Sequence, residues 1–288
     1  MSAAALRTSP QPTGVLLAVG AMAVIQLGVA LSEPLLHEIG AAGVGALRLL
    51  VAAAVLWPLT RPAVRGRARR DLWAAIALGT CCGVQTLAFF AALDRIPLGV
   101  AVTIEFLGPL AVGLAGSRRR LDGVWIALVA AGVALLTLGH GTDGALDPLG
   151  VALAGVAAVG WAGYITLTKR VGARWGGLEG LTVALAVAAA LMLAPGVATA
   201  GGALVDPEVL LAGAGLAVLA PLIPYSLEML ALRRMPAGLF GVLMSLEPAI
   251  GAALGFALLG QGLGASAVAA IGLILAASVG ATVGARRT

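Results

Sequence analysis

Charged side chains are scarce in this sequence of 288 residues. Only 11% of the residues are Asp, Glu, Lys or Arg, whereas 60% are hydrophobic and the mean hydropathy is +1.05. A soluble domain is about a quarter charged, and a water-soluble fold of this size would have too few polar side chains to cover its surface. The scarcity excludes a soluble protein and predicts an all-α integral membrane protein with almost no soluble mass.

Cysteine and histidine are also rare. Cys81 and Cys82 are adjacent within an apolar stretch, so they provide no disulfide framework and are interpreted as small packing residues. His37 and His140 lie near the predicted outer face without other ligand-type residues beside them. The sequence therefore predicts neither a metal site nor a cofactor.

Several motifs that would indicate other functions are missing. The sequence contains no H-E-x-x-H or G-x-S-x-G pattern and no paired metal-ligand spacing, so an intramembrane enzyme is only a distant alternative. It has no phosphate-binding loop, which excludes an ATP-driven pump. The net charge of +5 does not indicate a nucleic-acid partner, because the basic residues lie in short loops between apolar segments.

Ten apolar segments are long enough to cross a bilayer, which requires roughly 20 residues in a helix. The predicted spans are 14–32, 41–60, 71–93, 97–116, 121–139, 148–170, 177–195, 209–231, 236–259 and 262–284. Charged residues and prolines separate them. The first segment has a spanning length, so it is predicted to be a transmembrane helix rather than a signal peptide.

The basic residues predict the orientation of these spans. With a cytoplasmic N-terminus, 16 of the 18 Lys and Arg residues fall in inner loops or tails. Only Arg95 falls in an outer loop, and Arg48 falls within a span. Because basic residues concentrate in cytoplasmic loops, both termini are predicted to be cytoplasmic, in a bacterial plasma (inner) membrane.

The second half of the chain repeats the first. Residues 92–99 and 231–238 both read A-L-x-R-x-P-x-G, an offset of 139 that also aligns Pro109 with Pro248. Five spans per half make the second half cross the membrane in the opposite sense, as in many secondary transporters. The alternative is a duplication that only enlarged a scaffold. The predicted organisation is a cytoplasmic tail (1–13), a first five-helix repeat (14–139), a periplasmic linker (140–147), a second repeat (148–284) and a cytoplasmic tail (285–288).

Two acidic residues lie near the middle of predicted spans. Glu105 precedes Pro109 by four residues and Glu247 precedes Pro248 by one, so both can project from the same face of equivalent helices. A carboxyl group away from water favours its neutral form, so either is a candidate to bind a proton or a substrate. Structural hydrogen bonding of a protonated carboxyl group is the alternative. Both prolines free backbone carbonyls and predict helix breaks.

Arg48 and Glu228 are the other ionisable residues well within spans. Arg48 either reaches the outer head groups and backbone carbonyls or binds a carboxylate with two hydrogen bonds. Glu228 is close to the basic pair 233–234, and an interfacial ion pair is expected, with a gate or proton path as the alternative. Pro221 and Pro224 are predicted to break that helix and to create a mobile segment.

Four uncharged residues complete the predicted site. Gln26 and Gln85 lie in the first and third spans and are candidates to hydrogen-bond a substrate, although bonding between helices is an equal alternative. Trp161 and Tyr164 lie in the sixth span and either stack on a ligand or fill a packing seam.

Four stretches resemble a known family. They are GVGALRLL (43–50), PLGVAVTIEFLGPLAV (97–112), PLIPYSLEMLALRRMP (221–236) and GVLMSLEPAIGAALG (241–255). They are similar to the drug/metabolite transporter superfamily, in its EamA-type branch of paired five-helix units. The similarity covers nearly the whole chain, and PYSLEM and SLEPA are fairly specific for its bacterial threonine- and homoserine-exporting members.

The resemblance implies a proton-driven exporter of threonine, homoserine and related neutral amino acids. It also implies that Arg48, Glu105, Glu228 and Glu247 are polar positions of the transport site. Relatives often carry a basic residue where this chain has Glu33, a difference that could alter substrate preference at the outer mouth. The implied partners are a neutral amino acid, protons and the lipid bilayer. Another small-molecule cargo of the same superfamily is the alternative, and the sequence indicates no oligomeric state.

Overall fold

The computed structural model describes residues 12–31, 33–96, 98–116, 120–138, 146–247, 249–250 and 265–286. Every regular element within these ranges is a helix, so the predicted all-α class is confirmed. Helices suit this sequence because a helix satisfies its backbone N–H and C=O groups internally, as a chain surrounded by hydrocarbon requires.

Twelve α-helices have both ends within the described ranges. They are α1 (Pro12–Leu31), α2 (Glu33–Thr60), α3 (Arg69–Leu93), α4 (Leu98–Glu105), α5 (Leu107–Ala115), α6 (Arg120–Leu138), α7 (Pro148–Gly172), α8 (Glu179–Ala200), α9 (Pro207–Ala217), α10 (Ile223–Arg234), α11 (Ala237–Met244) and α12 (Ala265–Arg286). A 3-10 turn, Gly201–Val205, follows α8, and a π turn, Val218–Leu222, joins α9 to α10. The bounds of α3 and α7 differ by at most two residues from the predicted third and sixth spans.

Five helical stretches are long and apolar enough to cross a membrane. They are Pro34–Thr60, Arg69–Leu93, Pro148–Gly172, Glu179–Val205 and Pro207–Arg234. Shorter apolar helices cover parts of four other predicted spans: Pro12–Gly28, Val100–Ala115, Gly123–Gly132 and Val268–Ala277. Several apolar helices therefore agree with an integral membrane protein, and the count of ten spans stays a prediction.

The predicted fourth span is two helices rather than one. Phe106 separates α4 from α5, and Pro109 explains the interruption because proline has no N–H to donate to the carbonyl of Glu105 four residues earlier. In the second half, α11 ends at Met244 and Ser245 interrupts the helix in the same way. Pro248, to which that break was assigned, lies outside the described residues.

The predicted break near Pro221 is confirmed. Ala220 leaves the helical conformation, with φ −160° and ψ 105°, inside the π turn between α9 and α10. Pro224 was also predicted to break the helix, but it lies in the first turn of α10. Proline is well tolerated there, since the first N–H groups of a helix have no partner within that helix.

Glycines allow the central helices to approach closely. Helix α3 packs against α7 and α8, α2 against α8 and α9, α1 against α10, α5 against α11, and α6 against α12. A Cβ atom at Gly79 would collide with the carbonyl oxygen of Ala184, and one at Gly108 would collide with that of Ala158. These contacts bring α3 against the backbone of α8 and α5 against the backbone of α7, a close approach that small residues permit between membrane helices.

Candidate functional site

Gln85 and Glu105 form the first polar pair of the site. Nε2 of Gln85, on α3, donates a hydrogen bond of 3.1 Å to Oε1 of Glu105, the last residue of α4. Glu105 is only 8% exposed. Gly160 of α7 packs closely against the backbone and Cβ of Gln85, so α7 contacts Gln85 at its base. A buried carboxyl group is thus bound by an uncharged donor, which can serve either its neutral or its ionised form.

The helix interruption at Phe106 lies beside this pair. The ring of Phe106 meets the ring of Trp161 edge-on, with centroids 4.8 Å apart and an angle of 68°. Both residues are buried. Trp161 therefore packs against Phe106, and its stacking on a ligand stays a prediction.

Glu228 is buried and hydrogen-bonded to a tyrosine. Its side chain is 1% exposed, and its Oε2 accepts a hydrogen bond of 2.6 Å from the hydroxyl of Tyr164 on α7. The prediction that Glu228 forms an interfacial ion pair with the basic pair 233–234 is wrong. Arg233 instead donates to the carbonyl oxygens of Trp175 and Gly177, because it lies on a different face of α10.

Tyr225 lies beside Tyr164 and Glu228, and we refer to Cys82, Tyr164, Tyr225 and Glu228 as the polar cluster. Its ring centroid lies 5.2 Å from that of Tyr164, and its hydroxyl oxygen accepts a hydrogen bond of 3.8 Å from the thiol of Cys82 on α3. Arg48 lies on α2, which contacts both α3 and the π turn that precedes α10. Its Nε is buried and has no hydrogen-bond partner among the residues that the structure describes.

Glu247 completes the set of predicted acids. It lies just after the interruption at Ser245 and is partly buried. Helix α11, which leads to Glu247, packs against α5, which follows Glu105 along the chain.

The structure does not connect every predicted residue to this region. Gln26 is half-buried on α1 and, within the part of the chain that the structure describes, makes no hydrogen bond to the cluster. His37 is exposed, and His140 lies outside the described residues. In the part of the chain that the structure describes, no three His, Cys, Asp or Glu residues come together as potential metal ligands.

Two residues that sequence reasoning missed belong to the cluster. Tyr225 precedes Glu228 by three residues, so helical periodicity could have placed both on one face of α10. Cys82 was interpreted as a packing residue, and nothing in its local sequence indicates the tyrosine that it contacts across helices.

A second polar network joins the helix ends that were predicted to be cytoplasmic. Arg67 forms a salt bridge of 2.9 Å with Glu179, and Arg174 forms one of 3.0 Å with Asp71. The indole N–H of Trp175 donates to the backbone oxygen of Asp71 at 3.2 Å. We refer to Arg67, Asp71, Arg174, Trp175 and Glu179 as the inner-end network. It ties the segment between α2 and α3 to the segment between α7 and α8.

Comparison with known proteins identifies the class of this protein. Residues 148–283 match the EamA-like transporter family. Together with the full-length relatives described next, this match shows that the chain belongs to the EamA-like transporter family, as its resemblance implied. It is accordingly a multi-pass protein of a bacterial inner membrane.

Named relatives extend over nearly the whole chain. The threonine/homoserine exporter RhtA of Escherichia coli (strain K12) is 39% identical over 285 residues, which cover 98% of this chain and 95% of that protein. The protein of the same name from Salmonella typhimurium (strain LT2) is 39% identical over 268 residues, covering 93% and 90%. A protein of known crystal structure has a TM-score of 0.75 at 21% identity, over 95% of this chain and 99% of its own, and so shares the fold.

Proposed function

We propose that this protein exports small neutral amino acids such as threonine and homoserine, in exchange for protons and by alternating access. The observation that carries the proposal is the 39% identity, along 98% of the chain, to exporters named for these two substrates. The buried polar cluster supplies the chemistry that such a cargo requires.

A neutral amino acid presents a carboxylate and an ammonium group. Arg48 offers a buried N–H donor that has no partner within the described ranges, and a guanidinium group suits a carboxylate in geometry and charge. Glu105 and Glu247 offer carboxyl oxygens for the ammonium group. A site with both signs of charge favours a zwitterion over a purely cationic drug, for which Arg48 would be repulsive.

Competition between proton and substrate would couple the two fluxes. A deprotonated Glu105 or Glu247 binds the ammonium group, and a proton arriving from outside neutralises the same carboxylate and releases the amino acid. Gln85 supports this exchange because its amide can bond Glu105 in either form without an opposing fixed charge. Such competition lets the proton gradient drive export.

Ten spans arranged as two inverted repeats, with both termini cytoplasmic, are supported by two features. First, the helix interruptions at Phe106 and Ser245 are separated by 139 residues, the offset of the sequence repeat. Second, the packing of helices is repeated with the two halves exchanged. The contact of α3 with α7 corresponds to that of α10 with α1, and the contact of α3 with α8 corresponds to that of α9 with α2. Inverted repeats place a transport site between the halves.

The inner-end network supports alternating access. Its salt bridges join the two predicted repeats at the end predicted to be cytoplasmic, as a closed inner gate would require. A substrate arriving from the cytoplasm would need these contacts to separate. We expect them to break in the inward-open state and to reform after release of the amino acid outside.

Efflux of labelled threonine tests the proposal. Cells lacking their own exporters are loaded and compared with and without a protonophore, using the intact protein, Glu105→Gln and Glu247→Gln. We expect fast, protonophore-sensitive efflux that either substitution abolishes. Glu38→Gln is the matched control, since Glu38 is an exposed acid on α2 and its change is expected to leave efflux intact. Efflux no faster than the empty vector would remove threonine as the cargo.

A further inference from the structure

A short helical segment precedes the spanning part of α2. Residues 34–39 are helical and end at Gly40, whose φ of 67° and ψ of 169° leave the helical conformation. This combination of angles is essentially restricted to glycine. We refer to residues 34–39 as the outer strap, because they lie at the end of α2 that is predicted to face outside. The helix from 41 to 60 separates them from the inner-end network by about 30 Å.

The outer strap is attached to the second half of the chain by apolar side chains. Leu35 and Ile39 are 5% and 1% exposed and belong to one buried apolar cluster with Val209 of α9, against which Leu204 of the 3-10 turn packs. Leu36, in the same strap, is 36% exposed. None of the four salt bridges found among the described residues involves the strap. Burial of apolar side chains therefore holds it in place.

The outer strap and the inner-end network occupy equivalent positions in the two predicted repeats. In the inner-end network, the link between the second and third helices of the first repeat meets the link between the first and second helices of the second repeat. At the other end the roles are exchanged. The strap, between α1 and the spanning part of α2, packs with the 3-10 turn that links α8 to α9. The same junction is thus charged at one end and apolar at the other.

We propose that the outer strap is the outer gate of the transport path and opens by turning about Gly40, away from Leu204 and Val209. The inference rests on the alternating access of the proposed function but not on the identity of the cargo. A hinge is a position that absorbs a large change in φ and ψ, and Gly40 is the point where the strap leaves the helix axis. The two gates then differ in chemistry, since ion pairs hold the inner one and apolar burial holds the outer one.

Labelling of Cys82 from each side of the membrane tests the proposal. Cys82 is 4% exposed in the polar cluster, so a membrane-impermeant maleimide reaches it only through an opened path. Right-side-out and inside-out vesicles containing the full-length protein in a Cys81→Ala background are compared for Leu35→Ala and Leu36→Ala. We expect Leu35→Ala to speed labelling from outside at least about tenfold, because the strap loses buried contacts. Labelling from inside should not become faster.

Leu36→Ala is the matched control, since it removes the same atoms from an exposed position of the same strap, and its labelling should equal that of the background protein. Gly40→Ala is a second variant that opens the strap by another route. Alanine does not readily adopt the angles found at Gly40, and its Cβ would lie 2.8 Å from Cγ2 of Thr199. Outside labelling should again become at least about tenfold faster.

Salt distinguishes an apolar gate from a charged one. Between about 0.1 M and about 1 M salt the screening length falls from about 10 Å to about 3 Å. Labelling of the background protein from outside should not become faster over this range, because no ion pair among the described residues holds the strap. Acceleration by salt would overturn the proposed apolar gate.

The remaining outcomes are equally decisive. Equal outside labelling of Leu35→Ala and Leu36→Ala overturns the gate role of the strap and leaves the export function standing. Equal acceleration from both sides in Leu35→Ala also overturns it, because that result indicates a general loosening of the fold. The labelling needs no threonine. An intact protein that exports no threonine, with strap variants that label as expected, overturns the proposed cargo and supports the outer gate.

Discussion

Arg67 and Glu179 form a salt bridge of 2.9 Å between the segment that precedes α3 and the first turn of α8. The guanidinium carbon of Arg67 also lies 4.2 Å from the ring centroid of Trp175. About three-quarters of each charged side chain is shielded, with relative exposures of 23% and 26%. This combination is more than an isolated surface ion pair, because the same arginine contacts a carboxylate and an aromatic face.

Reversing one charge of this pair should open the inner end. In Glu179→Arg two cations face each other, which we expect to favour the open state by about 1 kcal/mol, a factor of about five in population. Cys82 serves as a native reporter in a Cys81→Ala background. Its labelling by a membrane-impermeant maleimide in inside-out vesicles should become about fivefold faster.

The double reversal Arg67→Glu with Glu179→Arg provides the internal control, since it restores opposite charges and should return labelling toward the original rate. Arg65→Glu changes an exposed arginine of the same segment and should have no effect. Equal labelling rates in all variants would show that the salt bridge does not hold this end closed.

Removing the Tyr164 hydroxyl should destabilise the protein. In Tyr164→Phe the buried Glu228 loses the donor that lies 2.6 Å from its Oε2, and we expect a loss of about 1–2 kcal/mol. Thermal unfolding of the purified protein measures the effect. Thr166→Ala, on the same helix, removes an exposed hydroxyl that bonds only to carbonyls of its own helix, and is expected to be nearly neutral. A Tyr164→Phe protein as stable as the original would contradict the importance of this bond.

Replacing two helix glycines by alanine should have opposite effects on the stability of the protein. A Cβ at Gly108 would meet the backbone of Ala158, which cannot move aside, so Gly108→Ala should cost about 1–3 kcal/mol. Gly155, on α7, has open space around its Cβ position, and Gly155→Ala should be neutral or stabilising by about 0.5 kcal/mol. Unfolding midpoints of both variants decide the matter, and equal midpoints would show that α5 and α7 are not in close contact.

Asp147 should contribute to stability in a pH-dependent way. The Leu149 N–H, which donates to it at 2.8 Å, and then Arg95 hold the pKa of Asp147 below its usual value of 3.8. A carboxyl group with a lowered native pKa stabilises the fold above its unfolded value and loses this contribution as the pH falls through the native one. Asp147→Ala should therefore lower the unfolding midpoint at pH 7, and its difference from the original protein should shrink as the pH falls below 3.8.

Asp147→Asn is the informative comparison for that experiment. Asparagine also caps helix N-termini but does not titrate, so its stability should show no such acid-dependent loss relative to Asp147→Ala. A difference between Asp147→Ala and the original protein that persists unchanged down to pH 3 would contradict a capping role for the ionised carboxylate.

Helix positions were predictable because apolar length and charged breaks act locally. The bounds of α3 and α7, the interruption caused by Pro109 and the break at Pro221 all follow from residues within one or two turns. The burial of Glu105 was predictable for the same reason, since it lies eight residues into an apolar span.

The partners of the acids were not predictable from local sequence. Glu228 was expected to pair with nearby arginines because they are close along the chain, but the packing of α10 against α7 gives it Tyr164 instead. Such a choice depends on the rotation of two helices about their axes, which sequence spacing alone does not fix. Tyr225 and Cys82 lie 143 residues apart and meet only because α3 and α10 converge.

Helix α7 runs without interruption from Pro148 to Gly172, unlike the chain around Phe106, Pro221 and Ser245. It carries Tyr164 at the polar cluster and leads directly into the inner-end network, roughly 15 Å further along at about 1.5 Å per residue. A rigid movement of α7 would therefore carry Tyr164 together with the chain that follows Gly172 and leads to Arg174 and Trp175, so that the two polar groups of residues would shift together.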